Sequence, residues 1–148
     1  MKDKARIWAV IPAAGTGSRF GADYSKQYAG INNATVLEHS AAALLQQKSL
    51  QKIVIALHAD DTHGAQLPLL QHEKIIFVCG GAERTDSVLQ ALLYLREYAE
   101  KDDWVLVHDA ARPCLSVSDL QKLIDTLRDD PVGGILAVPA TDTLKKID

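Results

Sequence analysis

Three short stretches of the chain hold residue types that a plain connection between secondary-structure elements does not require. The first is Pro12-Ala13-Ala14-Gly15-Thr16-Gly17-Ser18-Arg19-Phe20-Gly21. Small side chains let backbone N–H groups come close to an anion, and glycine admits positive φ. A dinucleotide fingerprint G-x-G-x-x-G needs glycine at position 20, where Phe20 stands, and the G-K-[S/T] of a Walker loop is absent. Arg19 and Lys26 add two cations. A triphosphate is highly anionic, and reaction at its α-phosphate builds further charge on the equatorial oxygens. A well-placed donor there stabilises the transition state by roughly 3–4 kcal/mol. A glycine turn flanked by two solvated cations fits the same letters.

The second stretch is Gly80-Gly81-Ala82-Glu83-Arg84-Thr85-Asp86-Ser87-Val88. Its glycines let a flat base lie against the backbone, and Ser87 sits near a helix start, where hydroxyls and N–H groups donate. Arg84 is within reach of a phosphate. A capped helix start, with Glu83 and Asp86 favoured by the macrodipole, is the plainer alternative. The third stretch is Val107-His108-Asp109-Ala110-Ala111-Arg112-Pro113. An aspartate closing a buried strand is placed to hold Mg²⁺, which favours one or two carboxylates plus substrate phosphates. Arg112 offers a bidentate fork for a second phosphate. An Asp–Arg ion pair closing the loop explains the same residues. His108 is left out of the catalytic set, because a phosphate monoester is ionised enough to attack without a base. From residue chemistry alone, the three stretches point to Mg²⁺-dependent binding of a nucleoside triphosphate.

The elements around these stretches must place them together. Arg6–Ile11, Lys52–Leu57, Lys74–Val78, Trp104–Val107 and Gly134–Val138 read as short buried strands. Thr35 opens a capping box with Glu38, ahead of a stripe of Val36, Leu37, Ala41, Leu44 and Leu45. A second helix starts near Thr85, with Val88, Leu92 and Leu95 on one face. Ser116 caps a third, which carries Leu120, Leu123, Ile124 and Leu127. Such β/α alternation predicts a mostly parallel sheet with helices on both faces. Ligands of open α/β sheets bind beyond the carboxyl ends of strands, which is where all three stretches fall.

Composition narrows the classes. Apolar residues make up 47% and charged residues 24% of 148, which excludes disordered and collagen-like chains. The net charge of -3 argues against a broad nucleic-acid surface, so an anionic ligand must meet a local cluster of cations. Cys79 and Cys114 are too few for a disulfide scaffold, lack metal-ligand spacing and fit a reducing compartment. Cys114 lies beside the third stretch, and a packed rather than reactive side chain is expected there. His58 and His63 have a poor metal spacing and read as surface. Lys2, Lys4 and Arg6 ahead of an apolar run mimic a signal peptide, but the run is short and contains Pro12. No stretch approaches transmembrane length.

Pro12–Gly21 followed by Lys26-Gln27-Tyr28 resembles the signature of nucleotidyltransferases that activate sugars and polyols, with Ser25 where most members have proline. With G-G-x-x-R-x-D-S-V at Gly80–Val88 and V-H-D-A-A-R-P-C at Val107–Cys114, in this order and spacing, the chain resembles the 2-C-methyl-D-erythritol 4-phosphate cytidylyltransferases. The likeness runs from about Trp8 to the chain end and includes Gly133–Pro139 and Asp142–Lys145. Ribitol-5-phosphate cytidylyltransferases tend to read H-D-A-V-R-P-F in the third stretch, whereas Ala111 and Cys114 stand here.

The resemblance implies a Rossmann-like three-layer α/β/α nucleotidyltransferase fold over residues 1–148. It implies transfer of CMP from CTP to methylerythritol phosphate with release of pyrophosphate, in a cytoplasmic homodimer without nucleic-acid or membrane partners. Pro12 and Ala13–Gly17 would cradle the triphosphate, with Arg84 beside it. The backbone around Ala13, Ala14 and Gly81, with Ser87, would read cytosine. Asp109 would hold Mg²⁺ bridging the phosphates, and Arg19 and Lys26 would stabilise the pentacoordinate transition state. Asp109, Arg112 and Thr143 would contact methylerythritol phosphate. Family members continue past the position of Asp148 into a dimer arm, so the chain is expected to be the nucleotide-binding part of a longer enzyme. Two other readings stand beside this one: a nucleotidyltransferase with a different acceptor, and a CTP-binding fragment without turnover.

Overall fold

The computed structural model of the chain describes residues 5–15 and 25–139. Its centre is β1 (Ile7–Ala13), in which successive side chains alternate between faces. Ile7, Ala9, Ile11 and Ala13 enter one core, and Trp8 and Val10 enter another. A 3₁₀ turn (Lys26–Tyr28) and a short antiparallel pair, β2 (Gly30–Ile31) and β3 (Ala34–Thr35), follow. Asn32 turns between them at φ 54°, a conformation its short polar side chain tolerates. This hairpin is too short to carry a readable alternation. Next come α1 (Val36–Leu45), β4 (Leu50–Leu57), β5 (Ile75–Cys79), α2 (Arg84–Leu95), β6 (Trp104–Val107) and α3 (Val117–Leu127).

The main sheet has the order β5-β4-β1-β6, and every neighbouring pair is parallel. Leu37, Ala41, Leu44 and Leu120 bring α1 and α3 onto one face, and Ala91 and Leu95 bring α2 onto the other. The three-layer α/β/α arrangement is therefore as expected. The chain runs outward from β1 to β4 and β5, and then crosses over to β6 on the other side of β1. That reversal makes β1 and its neighbour β6 the switch point of the sheet, beyond whose carboxyl ends ligands of open α/β sheets bind.

Local signals held where they were chemical. The Thr35–Glu38 capping box is formed in both directions, at 2.8 and 3.2 Å. The Ser116 hydroxyl accepts from the Asp119 N–H at 3.0 Å. Three details differ. β1 runs two residues beyond Ile11, pairing Pro12 with Ala56 and Ala13 with Leu57. Proline is accommodated because the pairing of β1 with β6 has already ended at Val10–Val107. On α2 the buried residues are Ser87, Ala91 and Leu95, while Leu92 is exposed. The small Ala91 lets the helix approach Trp8, Val10 and Val54.

The third difference is larger: Gly134–Val138 is not a strand. The Val132 and Gly133 N–H groups donate to Asp130, and Gly133 takes φ 113°, so the chain turns here. Ile135 and Val138 are 85% and 88% exposed. A β-branched run favours a pleated surface only when a neighbouring strand supplies its ladder, and β6 pairs with β1 alone.

The amino ends of β1 and β6 are locked by Asp103, whose side chain is 5% exposed. It accepts from the Arg6 N–H and Nε at 2.9 and 3.0 Å, the Trp8 indole at 2.9 Å and the Glu100 N–H at 2.9 Å. Burial pushes its pKa up, but these donors outweigh burial and hold it at about 2, against 3.8 for a free carboxyl. A folded-state pKa below the unfolded value contributes stability above pH 3.8 that is lost as the pH falls through about 2. The size is roughly 2 kcal/mol. Urea unfolding should therefore show Asp103→Asn less stable than the parent at pH 7, with the gap narrowing toward pH 2. An equal deficit at both pH values would show that the charge of Asp103 is not the cause.

Candidate functional site

Four loops leave the carboxyl end of the sheet, and those from β1, β5 and β6 carry the expected site residues, each tied to another part of the fold. The loop after β1 starts at Ala14, which is buried. The Gln27 amide, 4% exposed, donates from Nε2 to the Ala13 carbonyl at 2.9 Å and to the Gly15 carbonyl at 3.3 Å. Lys26, in the same 3₁₀ turn, is exposed. Among the residues expected to bind phosphate, Thr16, Gly17 and Arg19 lie outside the described residues, as does Thr143.

The loop after β5 needs its two glycines for space. A Cβ on Gly80 would stand 2.5 Å from the Ala14 Cβ, so the first and second loops touch there. A Cβ on Gly81 would stand 2.2 Å from the Asp86 Cβ. The Gly80 N–H donates to the Leu57 carbonyl at 2.7 Å, which continues the sheet into the loop. Ser87 is 2% exposed. Its hydroxyl accepts from the Gly81 N–H and donates to the Glu83 carbonyl, both at 3.2 Å. Ser87 thus shapes the loop that was expected to face cytosine. The Glu83 N–H is taken by the Asp86 carboxylate at 3.1 Å, so the expected capping of this helix start is present.

The loop after β6 is joined to the second by charge. Arg84 donates from Nε and a terminal nitrogen to one oxygen of Asp109, at 3.0 and 2.7 Å. Arg112 reaches the other oxygen from Nε at 2.9 Å. The Asp109 side chain is 31% exposed and the two arginines 58% and 77%. Burial raises the Asp109 pKa, but Arg84 above all and then Arg112 hold the carboxyl below the usual carboxylate range. Asp109 holds two guanidiniums together, a local pair of cations of the kind that a chain of net charge -3 needs for an anionic ligand. The Ala110 carbonyl accepts from the buried Ser40 hydroxyl at 3.1 Å, fixing the loop to α1.

Mg²⁺ was expected on Asp109. Both of its oxygens are engaged by guanidiniums, and no group of three or more acidic, His or Cys side chains able to hold a metal occurs among the described residues. At His108 burial lowers the pKa, and its Nε2 lies 3.0 Å from the Arg112 carbonyl. Cys114, expected to be packed, is exposed, as is Cys79. It follows Pro113 beyond the end of β6, where no core element covers it. His58 and His63 are on the surface, and His63 lies against the Tyr28 ring at 5.7 Å.

Sequence reasoning met Gln27 and Tyr28 only as part of the Lys26-Gln27-Tyr28 signature, without a role, and passed over Asp61. The Tyr28 hydroxyl donates to Asp61 Oδ2 at 2.5 Å, and Asp61 Oδ1 accepts from the His63 and Gly64 N–H groups at 3.0 and 2.8 Å. The available signal was a glutamine and a tyrosine directly after a candidate catalytic lysine. Their roles depend on partners up to 33 residues away.

A parallel sheet with glycine loops and an arginine-flanked aspartate at its carboxyl end places the chain among the open α/β proteins, whose ligands bind beyond the strand ends. Residues 7–148 match the family model described as IspD, 2-C-methyl-D-erythritol 4-phosphate cytidylyltransferase, and the chain belongs to this family. It is 54% identical over 143 residues to the 2-C-methyl-D-erythritol 4-phosphate cytidylyltransferase of Pseudomonas fluorescens, covering 96% of this chain and 61% of that protein. The counterpart from Pseudomonas syringae pv. tomato is 55% identical over the same coverage. The chain thus spans about three fifths of the length of these relatives. A crystal structure of 4-diphosphocytidyl-2C-methyl-D-erythritol synthase superposes with a TM-score of 0.84 at 33% identity, over 98% of this chain and 65% of that one. The Francisella tularensis 2-C-methyl-D-erythritol 4-phosphate cytidylyltransferase gives 0.78 at 33% identity, over 97% and 62%.

Proposed function

We propose that this chain forms the nucleotide-binding part of an enzyme that transfers CMP from CTP to 2-C-methyl-D-erythritol 4-phosphate, in isoprenoid precursor synthesis. The observation that carries the reading is the joining of the three loops: Gln27 on Ala13, Gly80 against Ala14, and Arg84 on Asp109. Family membership supplies the substrates. An oxygen of the acceptor's phosphate attacks the α-phosphorus of CTP in line. The bond from that phosphorus to the β-phosphate oxygen breaks, and pyrophosphate leaves. No covalent intermediate is needed, only positioning and charge neutralisation. Lys26 and Arg19 neutralise the charge that grows on the α-phosphate. Arg112, Asp109 and Thr143 receive the acceptor, and Arg84 faces the same anionic region. Mg²⁺ enters this reading with its substrate, the magnesium complex of CTP. A cytoplasmic homodimer completes the proposal. Among the described residues no helix is long and apolar enough to cross a membrane.

Pyrophosphate release measured across CTP, UTP, GTP and ATP, and then across acceptors, tests the reading. Turnover should require CTP and methylerythritol phosphate together. Preference for ribitol 5-phosphate or another acceptor would move the protein to a sibling activity. CTP binding by residues 1–148 without product would locate turnover in residues outside this sequence.

A further inference from the structure

We propose that Gln27 is a positioning residue of the reaction, a clamp that fixes the Lys26 turn to the backbone of the loop after β1. The inference rests on the functional reading above, because it assigns Gln27 a role through Lys26. The turn itself is slight: three residues, closed by Tyr28 N–H to the Ser25 carbonyl at 2.9 Å and Ala29 N–H to the Lys26 carbonyl at 3.2 Å. A turn this short has little stability of its own, so side chains must set its place. Gln27 does so from inside. It is almost wholly buried, and a primary amide has two N–H groups, one for each of the Ala13 and Gly15 carbonyls. Those carbonyls flank Ala14, the residue in contact with the second loop. One side chain therefore joins the lysine-bearing turn to the point where two nucleotide loops meet.

Tyr28 is the second anchor, from the side. Its hydroxyl is held by Asp61, which is itself fixed by two backbone N–H groups. Space there is closed as well: a Cβ on Gly64 would stand 2.9 Å from the Tyr28 oxygen. With Gln27 held inward and Tyr28 held sideways, the backbone at Lys26 has one placement while its side chain remains exposed. Glutamine is needed rather than glutamate, because a carboxylate would turn lone pairs toward two carbonyl oxygens.

The test uses Gln27→Met, Gln27→Glu and Tyr28→Phe in the full-length protein, read by steady-state kinetics and by hydrogen exchange of the amides of residues 9–15. In Gln27→Met, kcat should fall about 10- to 100-fold, by a larger factor than the KM for CTP rises, as expected when a reacting group is misplaced by about 1 Å. Exchange at Ala14 and Gly15 should quicken. Gln27→Glu should regain activity relative to the parent as the pH falls, because a protonated carboxyl can donate one hydrogen bond; Gln27→Met should not. Tyr28→Phe should lose less, and it carries the test if Gln27→Met does not fold. A Gln27→Met kcat within twofold of the parent, or a loss confined to KM, overturns the proposal. If the parent does not transfer CMP at all, the functional reading fails and exchange alone decides the clamp: quickened exchange upholds it as an anchor of the loop, and unchanged exchange removes it.

Discussion

Replacing Lys26 with alanine lowers the kcat for CMP transfer by about 100-fold or more in the full-length protein, with the unfolding midpoint unchanged. The two halves of this expectation have separate physical grounds. Lys26 is exposed, so its removal leaves neither a cavity nor an unpaired buried group. Its charge counts only when the α-phosphate gathers negative charge, so the loss falls on kcat rather than on nucleotide binding. Lys26→Arg keeps the charge on a differently shaped head and should recover part of the rate. Near-normal turnover in Lys26→Ala would remove the lysine from the reaction and, with it, the chemical reading of the first loop.

The second large effect is steric. In Gly80→Ala the new methyl would lie 2.5 Å from the Ala14 Cβ, 2.8 Å from the Ser87 hydroxyl and 3.3 Å from the Leu57 carbonyl. The serine can rotate, but a Cβ and a carbonyl cannot move without the backbone. Overpacking of this kind costs about 1–3 kcal/mol. It also pushes apart the loops that read as the nucleotide site, so calorimetry should find CTP bound about 10-fold more weakly, a change of about 1.4 kcal/mol. Ala14→Gly in the same chain clears the closest contact and should restore part of both losses. Gly30→Ala is the control: a Cβ there meets no heavy atom within 4 Å, and it should leave stability and affinity unchanged. Equal behaviour of the two alanine variants would show that Gly80 is not a packing constraint.

Much of the fold was legible because its signals are local. Two caps, at Thr35 and Ser116, are made by residues three apart, and Trp104–Val107 begins and ends where its β-branched and aromatic run does. Gly134–Val138 had the same kind of signal and failed, because a strand also requires a partner edge. Leu92 failed similarly: a helical stripe names a face, but the sheet below decides how that helix is rotated, and here Ala91 fits closest.

The site divides along the same line. The amino-acid sequence by itself marked which loops have the residue types that phosphate chemistry needs, since small residues, glycines and cations close together let a backbone approach an anion. It also determined the family, through the order and spacing of those loops. Only the tertiary structure decided how they are used. Asp109 lies between Arg84, 25 residues earlier, and Arg112, three residues later, so it organises two cations. Ser87 is turned onto the Gly81 backbone, and Gln27 reaches back to Ala13 and Gly15. The physical reason is reach. A backbone conformation is set mainly by its near neighbours in sequence, whereas the partner of a buried amide or an ion pair is chosen by strand order. The order β5-β4-β1-β6 is what brings these distant groups to one end of the sheet.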